Sequence, residues 1–67
     1  MKPPILLIEV IENAQEYNSE IRIKKDGNGF YAYVLGRGYS RNYSSASRLE
    51  EMIRELGFTG TIVVEDK

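Results

Sequence analysis

Glu20-Ile21-Arg22-Ile23-Lys24-Lys25-Asp26-Gly27-Asn28-Gly29-Phe30-Tyr31-Ala32-Tyr33-Val34-Leu35 is a pair of alternating runs joined by a glycine-rich turn. In Glu20 to Lys25, Ile21 and Ile23 are set against Glu20, Arg22 and Lys24. Successive strand side chains point to opposite faces, so this is the pattern of a half-buried strand. Asp26-Gly27-Asn28-Gly29 offers residues that tolerate positive φ, which predicts a primed hairpin turn at Asp26-Gly27 or Gly27-Asn28. Phe30 to Leu35 returns with Phe30, Ala32 and Val34 on one face and Tyr31, Tyr33 and Leu35 on the other. Both turns put Ile21 and Ile23 beside Phe30 and Ala32, and Arg22 and Lys24 beside Tyr31 and Tyr33.

Working outward, Gly36-Arg37-Gly38 reads as a second tight turn into a short strand, Tyr39 to Tyr43. A two-residue loop would drive Arg41 onto the Phe30 face, where an unpaired charge is costly. A three-residue loop with Gly38 left-handed instead puts Tyr39, Arg41 and Tyr43 beside Tyr31 and Tyr33, and is the expected arrangement. Ser44 to Leu56 carries Ala46, Leu49, Met52, Ile53 and Leu56 along one helical stripe. Ser44 or Ser45 can cap it, Ser47 with Glu50 offers a capping box for a later start, and Gly57-Phe58 suits a Schellman end. Thr61 to Glu65 supplies a last strand.

Toward the N-terminus, Ile5 to Ile11 is short and rich in β-branched residues, which predicts a first strand. Leu6, Ile8 and Val10 would lie on one face and Ile5, Leu7 and Ile11 on the other, with Glu9. Glu12 to Ser19 reads as a polar connection with Asn13 and Asn18 as turn formers and Tyr17 folded back on the sheet. The expected fold is α+β in the order β-β-β-β-α-β, with a short fourth strand. It is a twisted, mainly antiparallel sheet packed on one helix, in a single compact domain over residues 1–67.

A chain of 67 residues buries only about 60% of the surface its unfolded form exposes, so its margin of stability is thin. Cys and His are both absent, which removes disulfides and the usual zinc, copper and haem ligands. Oligomerisation is the remaining remedy, and Ile5, Leu7 and Ile11 on the second face of the first strand are the candidate homodimer contact. The lack of Cys fits a reducing cytoplasm. The Ile5 to Ile11 run is broken by Glu9 and falls far short of the roughly 20 apolar residues of a membrane span; it also lacks the flanks of a signal peptide.

Without His or Cys, acid-base chemistry would fall to carboxylates, Tyr or Lys, and a Ser or Thr nucleophile would lack a histidine base. No catalysis and no cofactor are expected. Glu50, Glu51 and Glu55 fit a solvated helix face, and Glu65-Asp66-Lys67 a frayed end rather than a cation site. Neither glycine cluster leads from a strand into a helix N-terminus, as a phosphate-binding loop requires.

A net charge of −1 conceals a segregation. Between Ile21 and Arg48 stand Arg22, Lys24, Lys25, Arg37, Arg41 and Arg48 against Asp26 alone, together with four of the five tyrosines, while both flanks are acidic. Arg22, Lys24, Tyr31, Tyr33, Tyr39, Arg41 and Tyr43, with Arg37 at a turn tip, are therefore expected on the sheet face away from the helix. Cations that meet phosphates and rings that stack on bases suit nucleic acid, so the expected function is a small nucleic-acid-binding module. The alternative is a protein-interaction module, a small inhibitor or adaptor facing an acidic protein surface, because Tyr and Arg are enriched at binding hot spots. Cross-strand contacts of Tyr with Arg or Lys also stabilise sheets with no ligand at all.

Asn28-Gly29-Phe30-Tyr31-Ala32-Tyr33, followed by Tyr43-Ser44-Ser45 and the Leu49-Glu50-Glu51 helix, resembles the AP2-type and integrase arm-type DNA-binding modules. That resemblance covers residues 20–56 and implies a three-stranded sheet on one helix that binds DNA with the sheet. The first and last strands and the acidic total depart from that pattern.

Overall fold

The structure, a computed structural model, describes residues 3–65. The hairpin has the expected faces. Strand β1 (Ile21–Asp26) pairs antiparallel with β2 (Gly29–Val34) through Arg22↔Tyr33, Ile23↔Ala32 and Lys24↔Tyr31. Asp26 stands opposite Gly29, leaving Gly27-Asn28 as a two-residue turn. It is not a primed turn, because the positive φ falls one residue later, at Gly29 (124°). The Asp26 carboxylate closes the turn by accepting the Asn28 N–H at 2.8 Å, an Asx-turn bond. A side chain at Gly29 would collide with the Tyr43 carbonyl oxygen, so glycine is required there on two counts.

Strand β3 (Gly38–Tyr39) extends the sheet antiparallel to β2 across a three-residue loop. Its residues are Leu35-Gly36-Arg37 rather than Gly36-Arg37-Gly38, because Val34 pairs with Gly38. That register differs from the expected one by two residues, so Tyr39 still falls beside Tyr33. The strand then bulges. Ser40 N–H donates to the Ala32 carbonyl at 2.8 Å, but Ala32 N–H donates to the Ser40 hydroxyl at 3.0 Å in place of a ladder carbonyl. Pairing resumes at Tyr43 opposite Phe30, so Arg41 and Asn42 together oppose Tyr31.

Helix α2 (Ala46–Glu55) begins at Ser45, whose hydroxyl accepts the Arg48 N–H at 3.2 Å. It ends in the expected Schellman motif: Gly57 has φ 103°, its N–H donates to Arg54 O, and Phe58 N–H donates to Ile53 O. Strand β4 (Ile62–Glu65) then lies parallel to β1, giving a mixed sheet in the order β3-β2-β1-β4. A parallel neighbour needs a crossover connection, and α2 provides it.

The first element is a correction. Leu7–Glu16 forms helix α1 where a strand was expected. Leu7, Val10, Ile11 and Ala14 are its buried residues, spaced three, four and seven apart. β-branching disfavours helix by only a few tenths of a kcal/mol per residue, which burial of a helical stripe overrides. Both ends are satisfied. The Glu9 carboxylate accepts the Leu6 N–H at 3.1 Å, and Asn18 closes the other end at φ 53° while Ser19 N–H donates to Ala14 O at 2.8 Å. Ile5 alone retains strand-like pairing: its N–H donates to the Tyr39 carbonyl at 2.8 Å, alongside β3.

Both helices cover one face of the sheet. Leu7, Val10, Ile11 and Ala14 from α1, Leu49 and Ile53 from α2, Ile21 and Ile23 from β1, Ala32 and Val34 from β2, and Phe58 form a single core. Ile5, Phe30, Tyr43, Ala46, Met52 and Ile62 pack around it. The fold is α+β, with two helices rather than one.

Candidate functional site

Among the described residues, no helix covers the opposite sheet face. Strand alternation and register place Arg22 and Lys24 of β1, Tyr31 and Tyr33 of β2, Tyr39 of β3, and Val63 and Glu65 of β4 upon it. Three rings form a cluster: Tyr31 and Tyr33 lie 5.8 Å apart between centroids, tilted by 40°, and Tyr31 and Tyr39 lie 5.9 Å apart at 69°. All three are half-buried. Rings so inclined stand as ridges rather than as one flat platform. With Gly36, Arg37 and Gly38 they line an open depression of about 320 Å³, which also touches the β2 chain at Val34, whose side chain is buried on the helix side.

Arg37, expected at a turn tip, is there and is held. Its guanidinium lies over the Tyr17 ring at 3.9 Å from the centroid, a contact between the end of α1 and the β2–β3 loop. Tyr17 does not line the depression but packs against Arg37, which does. It was expected only to fold back on the sheet, and nothing local in the sequence joins it to Arg37.

Arg22 is neutralised where it stands. Its guanidinium reaches Glu65 Oε2 at 2.6 Å and Glu20 Oε2 at 2.5 Å, and the Tyr33 hydroxyl donates to the same Glu65 oxygen at 2.9 Å. The hydrogen bond from Arg22, then that from Tyr33, holds the Glu65 carboxyl below its usual range. Arg22 is raised, first by its hydrogen bond to Glu65 and next by the charge of Glu20. Tyr33 is raised by burial and then by its bond to Glu65. Glu65 was read as part of a frayed end; it is instead the hub of this network, while Asp66 and Lys67 lie outside the described residues. Glu20 and Glu65 thus cancel much of the positive charge expected on this face.

Tyr43 is corrected. The bulge turns it to the helix side, where it pairs with Phe30 and packs against the core. Arg41 is exposed in that bulge and lines no part of the depression. The homodimer contact also loses its basis: Leu7 and Ile11 are 8% and 1% exposed inside the chain's own core, and Ile5 packs against it. The apolar residues left exposed at the start of α1 are Ile8 and, at its N-cap, Leu6.

Among the described residues no acidic cluster is placed to hold a metal ion, and no helix is long and apolar enough to cross a membrane. No family model matches the chain, and neither a curated protein nor a solved structure matches it significantly. The likeness to AP2-type and integrase arm-type modules accordingly stays one of pattern.

Proposed function

We infer that this chain is a small non-catalytic protein-interaction module, which we place in the cytoplasm, and that it reads a partner through Tyr31, Tyr33, Tyr39 and Arg37. The observation that carries this reading is the double engagement of Arg22 by Glu20 and Glu65. Nucleic-acid binding draws its affinity from cations free to replace counterions on phosphates. A cation committed to two carboxylates is poorly placed to do so. What remains, beside the exposed Lys24, is a patch of tyrosines with one oriented arginine lining the depression, the composition of a protein hot spot.

The test is selection of ligands from a displayed random-peptide library. Peptides should be recovered that bind the wild-type chain and lose it with Tyr39→Ala or Arg37→Ala, at an affinity that changes little between about 50 and 200 mM salt. Recovery of peptides indifferent to both substitutions would sink the reading.

Nucleic acid stays the second reading on a separate observation: Lys24, Lys25 and Arg41 are exposed and form no ion pair among the described residues. Labelled DNA or RNA bound at about 50 mM salt and released steeply as salt rises would favour it.

A further inference from the structure

We propose that the outer edge of β4 is a self-association site, where a second copy of this chain adds its own β4 antiparallel and joins the two sheets into one. The proposal does not depend on what the tyrosine face binds, and the contact is not the one expected at Ile5, Leu7 and Ile11. The Ile21 N–H donates to the Thr61 carbonyl at 3.0 Å, and Ile21 stands opposite Ile62. In a parallel ladder this turns the backbone groups of Thr61, Val63 and Glu65 toward β1, and those of Ile62 and Val64 away from it. Among the described residues nothing pairs with that outer side, because β4 is the last strand of the sheet.

The two edges of the sheet are treated differently. Strand β3 is two residues long, Ile5 N–H donates to its Tyr39 carbonyl, and the Ser40 bulge interrupts the ladder beyond it. Short strands, covering segments and bulges are devices that keep an edge from pairing. Strand β4 has none of them. It runs in unbroken register from Ile62 to Glu65, contains no Pro or Lys, and turns its one charge, Glu65, toward Arg22. On the helix side of this edge Val64 is 41% exposed, next to the half-buried Ile62.

The occupant follows from the symmetry of the strand itself. In an antiparallel pair, residues whose backbone groups face the partner stand opposite one another, so a two-fold axis has to pass through Ile62, Val63 or Val64. An axis at Ile62 asks the Gly60 carbonyl to receive the Val64 N–H, but Arg54 Nη1 already occupies that oxygen at 2.7 Å. An axis at Val64 sets Glu65 against Val63. An axis at Val63 instead sets Ile62 opposite Val64 of the second copy, pairs every outward N–H and C=O of both residues, and covers the exposed Val64 with a β-branched neighbour. Glu65 then faces Thr61, and the two Glu65 residues stay about 13 Å apart along the strands. A net charge of −1 leaves little repulsion between copies. A foreign strand would have to supply this match, whereas a second copy carries it by symmetry. The contact is short, in the class below about 1,200 Å² that gives weak, concentration-dependent association. Its axis is normal to the sheet, so both tyrosine clusters look out from one side, about 24 Å apart across the intervening strands.

The experiment is sedimentation equilibrium of the full chain from about 10 µM to about 1 mM, with amide hydrogen exchange measured at both ends of that range. The expected result is a mass that rises from monomer toward dimer. The Ile62 and Val64 amides should gain protection with concentration, while that of Val63, already turned to β1, should not change. Val64→Lys leaves the core untouched and should weaken association at least about tenfold. Val64→Pro removes only an outward N–H, which an edge strand tolerates, and should do the same; if circular dichroism shows that it unfolds the chain, Val64→Lys decides alone. Ile8→Lys, at an exposed position of α1, should associate like wild type. A monomer mass up to about 1 mM would overturn the proposal. So would a dimer indifferent to Val64→Lys, or one whose formation leaves the Ile62 and Val64 amides exchanging as freely as in the monomer.

Discussion

Replacing Ile11 by alanine should cost this domain about 3 kcal/mol, and replacing Ile8, three residues earlier, almost nothing. Ile11 is 1% exposed and Ile8 39%. The first change removes three buried carbons, worth about 0.8 kcal/mol each, and adds a cavity term, which brings the loss to about 3 kcal/mol. Val10→Ala removes two and should cost about 2 kcal/mol. At Ile8 and at Leu6, which is 63% exposed, little burial is lost. Within the helix, alanine's higher propensity offsets part of it at Ile8. A domain of this length holds only about 3–10 kcal/mol in all, so Ile11→Ala should shift the melting temperature by more than 10 °C or leave the chain partly unfolded. Urea titrations followed by circular dichroism at low temperature would measure the series. This set separates a helix from a strand, because in a strand Leu6, Ile8 and Val10 would share a face and suffer together. Equal losses for Ile8→Ala and Val10→Ala, with Ile11→Ala benign, would refute the helix and the core built on it.

Ser40→Ala should cost about 1–3 kcal/mol by urea titration, since it leaves the buried Ala32 N–H, now bonded to the hydroxyl at 3.0 Å, without its acceptor. Gly29→Ala should be at least as damaging, because the new Cβ meets the Tyr43 carbonyl and φ there is 124°; Gly57→Ala, at φ 103° but with open space around it, should lose only about 1–2 kcal/mol. Glu65 has a lowered pKa in the folded chain, so its contribution is present above the unfolded carboxyl value of about 4.3 and lost as pH falls through the folded value. The stability gap between wild type and Glu65→Gln should therefore be widest near neutrality and close in acid. Tyr33 is shifted the other way, so the stabilisation of its neutral hydroxyl is present below about pH 10 and lost as pH rises through its folded value. In an absorbance titration at 295 nm, Tyr33→Phe should remove a component that titrates above the ordinary tyrosine value.

The parts of the fold legible in the sequence are those set by near neighbours. Ile21 and Ile23 alternate with charges beside a Gly-Asn turn, and Ser45 and Gly57-Phe58 mark the ends of α2, so hairpin and helix are found where expected. The first element misleads because Ile5, Ile8, Val10 and Ile11 are β-branched, and the window stops at Ile11. Extending it to Ala14 exposes the helical stripe of Leu7, Val10, Ile11 and Ala14, a signal present but outweighed by composition. Tyr43 and Glu65 are different in kind. Tyr43 changes face because the Ser40 hydroxyl takes a ladder bond, a choice made against Ala32 across the sheet. Glu65 meets Arg22 across 43 positions of sequence, through a parallel pairing that no local pattern announces. Hence the ring cluster of Tyr31, Tyr33 and Tyr39 is read correctly from alternation, while the charge around it is not.

The most direct measurement is the amide shift map of the labelled chain bound to a peptide selected on it, recorded at about 50 and 200 mM salt. Shifts gathered on Tyr31, Tyr33 and Gly36 to Tyr39, at an affinity nearly unchanged by salt, are the expected result. Shifts on the exposed faces of α1 and α2, or binding confined to nucleic acid and lost at the higher salt, would contradict the assignment of this face to a protein partner.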